Sequence, residues 1–119
     1  MKSTVSVLIL LCLSAVVAAG EVEIVEARAL STAPGVYHFE VTLRHADTGW
    51  EHYADGWQVV NPDGQVLAER VLYHPHVDEQ PFTRSLSGVG VASGTRSVTI
   101  RAHDKVHGYG SKPFVVELF

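Results

Sequence analysis

The chain of 119 residues contains seven histidines, and six of them fall in three short stretches. His45 and His52 bracket His45-Ala46-Asp47-Thr48-Gly49-Trp50-Glu51-His52, His74 and His76 lie in Tyr73-His74-Pro75-His76, and His103 and His107 lie in His103-Asp104-Lys105-Val106-His107. Neutral imidazole is a good ligand for Zn²⁺, Cu²⁺ and Ni²⁺. Three or four such rings arriving from separate loops fill a tetrahedral or tetragonal shell without sulfur. In an extended His74-Pro75-His76 the two rings share a face and the proline stiffens the spacer. His103 and His107 are four residues apart, but the Gly108-Tyr109-Gly110 that follows points to a loop rather than a helical turn. Asp47, Glu51, Asp78, Glu79 and Asp104 accompany these histidines. They either complete a coordination shell or orient an imidazole by accepting its second N–H.

The elements that position these loops read as strands. β-Branched and aromatic residues come in short runs punctuated by Gly, Pro, Asn and Asp, without a sustained helical period. Seven strands are expected, near Glu21 to Ala29, Val36 to Arg44, Gly56 to Val60, Gln65 to Leu72, Phe82 to Leu86, Ser97 to Ala102 and Pro113 to Leu118. In the first, the apolar phase shifts after Ile24, which predicts a bulge. In the second, Tyr37, Phe39, Val41 and Leu43 alternate with His38, Glu40, Thr42 and Arg44, giving one core face and one wet face. Asn61-Pro62-Asp63-Gly64 is a hairpin signal, with proline presetting the turn and glycine free to take positive φ. Trp57 is expected at the centre of the core. Arg84 shares the phase of Phe82 and Leu86, so its guanidinium either meets a carboxylate or carbonyl, or reaches water along its stem from the strand end.

Seven short strands in one unit suggest an all-β, antiparallel immunoglobulin-like or fibronectin-like sandwich over residues 21–119. When successive strands reverse direction, every second connection lies at the same end. The three histidine stretches occupy the second, fourth and sixth connections, so parity alone gathers them at one pole, and His38 stands apart. The candidate metal ligands are therefore His45, His52, His74, His76, His103 and His107. Simpler roles fit some of them: His45 continues the inward phase of Leu43 and fits a buried ring bonded to a backbone carbonyl. His52, beside Trp50 and Tyr53, fits a role in shaping its loop.

Residues 1–20 read as a secretory leader: Lys2, an apolar run from Val5 through Val17, then Ala18, Ala19 and Gly20, with cleavage expected before Gly20 or Glu21. The run is shorter than the roughly 20 residues a membrane span needs. The single cysteine, Cys12, lies inside it, and Leu11 stands where a lipidation signal needs a small residue. The exported chain then has neither cysteine nor methionine, which excludes disulfides, thiolate zinc and blue copper. Removing Lys2 leaves 8 basic against 13 acidic side chains, a net charge of −5 with histidine neutral. Such a surface argues against nucleic acid and anionic membrane partners. The expected location is the periplasm or the exterior.

The strings from His45 to Asp55, from His74 to Leu86 and from Arg101 to Gly110 resemble those of small uncharacterised bacterial secreted or periplasmic proteins, over most of the exported chain. That resemblance implies export and a compact β-domain, and carries no reaction or ligand with it.

Three functions follow from the residues. The first is a module that binds Cu²⁺ or Zn²⁺ through the loop histidines. The second is an interaction module for another exported protein, with Trp50, Tyr53, Tyr73 and Tyr109 as anchors and no metal. The third is a hydrolase using a metal-bound water with Glu51 or Glu79 as general base, opposed by the lack of a nucleophile motif or nucleotide-binding loop. Imidazole ligation also predicts release of the cation near about pH 6, where neighbouring rings protonate and repel.

Overall fold

The computed structural model describes residues 20–118. Apart from Gly20, the expected leader, with Cys12, lies outside the described residues. Eight strands are present, β1 (Glu23–Ala33), β2 (Val36–Arg44), β3 (Ala54–Val60), β4 (Val66–Val71), β5 (Phe82–Gly90), β6 (Ser97–Asp104), β7 (Gly108–Tyr109) and β8 (Phe114–Glu117), and no helix occurs among the described residues. They form two antiparallel sheets. One has the order β1-β2-β5; in the other β4, β3 and β6 are neighbours and both β7 and β8 pair with β6.

The seven expected strands correspond to β1 to β6 and β8, and the two-residue β7 is additional. It forms because His103 and Asp104 extend β6 and pair with Tyr109 and Gly108. Since β7 and β8 both run antiparallel to β6, they act as one interrupted strand, and the alternation of chain direction is unaffected. The bulge expected in β1 falls between Ile24 and Glu26 in its register with β2. At Asn61-Pro62-Asp63-Gly64 the Asn61 side chain accepts from the Asp63 and Gln65 amides while Gly64 takes φ +85°. This local closure joins β3 to β4.

The inward faces supply a core of Phe39, Val41 and Leu43 from β2, Trp57 and Val59 from β3, Phe82 from β5, and Val98 and Ile100 from β6, all essentially inaccessible. Each such side chain stabilises the fold by about 1.5–3 kcal/mol relative to exposure, and together they set the two sheets face to face. The strands therefore deliver three loops to one end of the molecule. The Asp47 carboxylate accepts from the His76 amide at 2.7 Å, Gln80 Oε1 accepts from the His45 amide at 3.0 Å, and the Tyr53 carbonyl accepts from the Lys105 amide at 3.2 Å. These bonds stitch the β2–β3, β4–β5 and β6–β7 connections together.

Candidate metal centre

The centre is organised by an aspartate at the inner end of β6. Burial alternates along that strand, with Val98, Ile100, Ala102 and Asp104 inside and Thr99, Arg101 and His103 on the outer side. One step beyond the apolar residues, the alternation turns a carboxylate into the protein. Asp104 Oδ1 accepts from the Val106 amide at 2.9 Å, the His107 amide at 2.8 Å and the His107 ring Nδ1 at 3.1 Å, so Asp104 shapes the loop that follows it. Burial pushes the Asp104 carboxyl up, but the two backbone bonds and the contacts with His107 more than offset this and hold it below the usual carboxylate range.

Two rings from the β2–β3 connection face this carboxylate. His45 is buried, with Nε2 4.0 Å from Asp104 Oδ2, and His52 places Nε2 3.3 Å from Asp104 Oδ1. The His52 contact is not aligned as a hydrogen bond: both His52 Nε2 and Asp104 Oδ2 are buried without a hydrogen-bonding partner among the described residues. One ligand atom from each of His45, His52 and Asp104 lies within 4.8 Å of the others. Donors about 2.0–2.1 Å from a shared zinc ion stand roughly 3.3–4.2 Å apart, so a modest inward turn of the rings would let all three reach one ion. His107 packs on His52 with ring centroids 5.0 Å apart, and His45 meets His52 edge-on at 4.8 Å. The small hairpin closed by Thr48 N–H to the His52 carbonyl and His52 N–H to the Gly49 carbonyl places His52 at the centre.

His45 is braced from behind. Its Nδ1 bonds Asp47 Oδ1, and that same oxygen accepts from the Ala54 amide at 3.0 Å. On the other side its Nε2 donates to the Gly20 carbonyl at 2.9 Å. The carbonyl-bonded, buried ring expected as the simpler role is therefore present, and it stands within the metal-competent group. A cation at His45 Nε2 would replace that proton.

His74 and His76 form a separate station. Asp47 links it to His45, but the His76 ring stacks on Phe82 at 4.0 Å and its Nε2 accepts from Arg84 Nη2 at 2.9 Å. Arg84, half-buried, also bonds Glu79 and the Thr83 carbonyl, so both fates considered for it are realised together. Burial, then the Arg84 guanidinium and His74, push the His76 imidazole below its ordinary range, with Glu79 and Asp47 opposing. The unfolded ring takes a proton as pH falls through about 6.5 while the folded ring resists it. Stability is therefore complete above that pH and declines as pH falls toward the lowered folded value. Urea denaturation of metal-stripped protein at about pH 7.5 and about 5.5 is expected to show a smaller acid-side loss in His76→Gln than in the parent. Equal losses would remove His76 as a source.

His103 is placed elsewhere. It is adjacent to Asp104 in sequence but on the outer face of its sheet, where its Nδ1 bonds Asp55 Oδ1 at 2.5 Å and its ring meets Tyr109 edge-on. Of the six candidate ligands, then, His45, His52 and His107 surround Asp104, His76 lies beside them behind Arg84 with the exposed His74 packed on its ring, and His103 faces away. Asp104 and Asp47, considered from the sequence only as accompanying acids, are the two hubs. The inward phase of Val98, Ile100 and Ala102, continued by one residue pair, is the signal that singles out Asp104.

No protein-family model matches the chain, and no solved structure matches it. The chain is 41% identical over 97 residues, 82% of its length, to a protein of Halomicrobium mukohataei named "Putative lipoprotein", of which it spans about half, 47%.

Proposed function

We propose that this protein is an exported β-sandwich module that binds a divalent transition metal, Cu²⁺ or Zn²⁺, at His45, His52 and Asp104, with His107 as the adjoining fourth donor. The observation that carries this reading is the pair of orphaned buried atoms, His52 Nε2 and Asp104 Oδ2, in a group of donors already at near-ligand spacing. A buried polar atom without a partner is costly, and a shared cation resolves both at once. Imidazole and carboxylate without sulfur suit these two ions. Export is supported by the leader-like residues 1–20 and by the name of the Halomicrobium relative, which places that protein among lipoproteins. The strand order, β1-β2-β5 against β4-β3-β6-β8, supports the immunoglobulin-like, fibronectin-like form of sandwich.

A second reading, an interaction module using the same pole, draws on Trp50 and Tyr73, which are 65% and 73% exposed on two of the three loops. Metal titration separates the two. A cation that binds only the folded state adds about 2.7 kcal/mol at a hundredfold excess over Kd, so the melting temperature of a domain this size is expected to rise by roughly 10–20 °C. His52→Ala, which removes a half-buried ring from a loop, should abolish that rise while leaving the metal-free melting temperature within a few degrees. No rise with either ion, or the same rise in His52→Ala, overturns the metal reading.

A further inference from the structure

We propose that the α-amino group released when the leader is cut before Gly20 is itself a ligand of this metal centre, so that processing on export completes the site. This rests on the metal reading above and extends it. Gly20 sits among the centre's own rings: its carbonyl oxygen is 2.9 Å from His45 Nε2, and a Cβ at this position would stand 2.7 Å from His107 Cε1 and 3.2 Å from His107 Nε2. Residue 20 thus fills the gap between His45 and His107, the rings that flank Asp104 and His52. The position is anchored from the next residues. The Glu21 carboxylate accepts from the Ser111 amide at 3.1 Å and the Ser111 hydroxyl at 2.7 Å, and Val22 is part of the buried core.

The chemistry changes with cleavage. While residue 19 is attached, the Gly20 nitrogen is an amide whose lone pair is delocalised into the carbonyl, and it makes a poor ligand. Cut before Gly20, it becomes a primary amine that titrates near about pH 8, far below lysine. Near neutrality it then releases its proton to solvent and gives the freed lone pair to Cu²⁺. The amine and the Gly20 carbonyl oxygen belong to one residue, so together they close a five-membered chelate ring on a cation held by His52 and Asp104. The cation would also relieve the His45 Nε2 contact with that carbonyl. The small residues Ala18 and Ala19 before Gly20 fit such a cut. A glycine as first residue is what the spacing to His107 accommodates.

The test compares three proteins: residues 20–119 with a free Gly20 amine, the same chain acetylated at Gly20, and a chain beginning at Glu21. Each is titrated with Cu²⁺ alone against a chromophoric competitor, and the copper spectrum is read by electron paramagnetic resonance. The free-amine form is expected to bind at least about tenfold more tightly than the other two and to show one more nitrogen in its hyperfine pattern. Equal affinity and equal spectra for the free and acetylated forms, or for the Gly20 and Glu21 forms, overturn the amine as a ligand. His52→Ala in the Gly20 form separates the two readings. If copper binding still requires His52, the centre stands without the amine; if no form binds in a His52-dependent way, both fall.

Discussion

Asp104→Asn is expected to lower affinity for Zn²⁺ and Cu²⁺ by at least about 100-fold while leaving the fold largely intact, and Asp104→Ala to lose the metal and about 2–3 kcal/mol of stability besides. The distinction follows from the two oxygens. Oδ1 holds the Val106 amide, the His107 amide and the His107 ring, whereas Oδ2 has no partner among the described residues and faces His45 Nε2 at 4.0 Å. An asparagine keeps an acceptor for the loop amides but brings a neutral amide, with donors, to the side where a cation needs a carboxylate. Alanine removes the acceptor as well and leaves loop donors unpaired. Isothermal titration and urea denaturation of the two variants check both parts. Metal binding by Asp104→Asn at the parent's affinity would take the carboxylate out of the centre.

Asp47→Ala is expected to be the most destabilising single change at this pole, by about 3–5 kcal/mol, a drop of more than about 12 °C in melting temperature for a domain of this size. The Asp47 side chain is wholly buried and accepts from the His45 ring, the Ala54 amide and the His76 amide. These donors come from the two ends of Asp47's own β2–β3 connection and, 29 residues further on, from the β4–β5 connection, so one carboxylate closes its loop and ties it to a distant one. Truncation strands all three donors in a place water does not reach. Asp47→Asn should fall between, since its amide oxygen can serve one set of donors while its NH₂ opposes another. The Ala variant should also weaken the metal centre by freeing His45. A melting temperature within a few degrees of the parent would show that the loops are held by something other than Asp47.

Much of the architecture is legible in local patterning. The alternation of Val36 to Arg44 reads directly as β2 with Phe39, Val41 and Leu43 inside, and Asn61 to Gly64 reads as the β3–β4 turn. Periodicity of two depends only on neighbouring residues, so it survives without knowledge of the partner strand. The meeting of the three histidine-bearing loops was also legible, because direction reversal is a counting property, and the extra β7 left the count unchanged.

Which histidines share a centre was not legible from loop membership. His103 and Asp104 are neighbours in sequence, yet they look out of opposite faces of β6, and His76 reaches the same pole only to be stacked on Phe82 and covered by Arg84. The sequence by itself determined the strands, the turn and the common end of the loops, all of them consequences of short-range alternation and chain reversal. Only the tertiary structure decided that Asp104 and Asp47 are the hubs, that His45 and His52 face the first of them, and that Gly20 lies against the His45 and His107 rings. Those distances depend on how two sheets pack and how far each loop bends back over the core, terms that no local pattern contains.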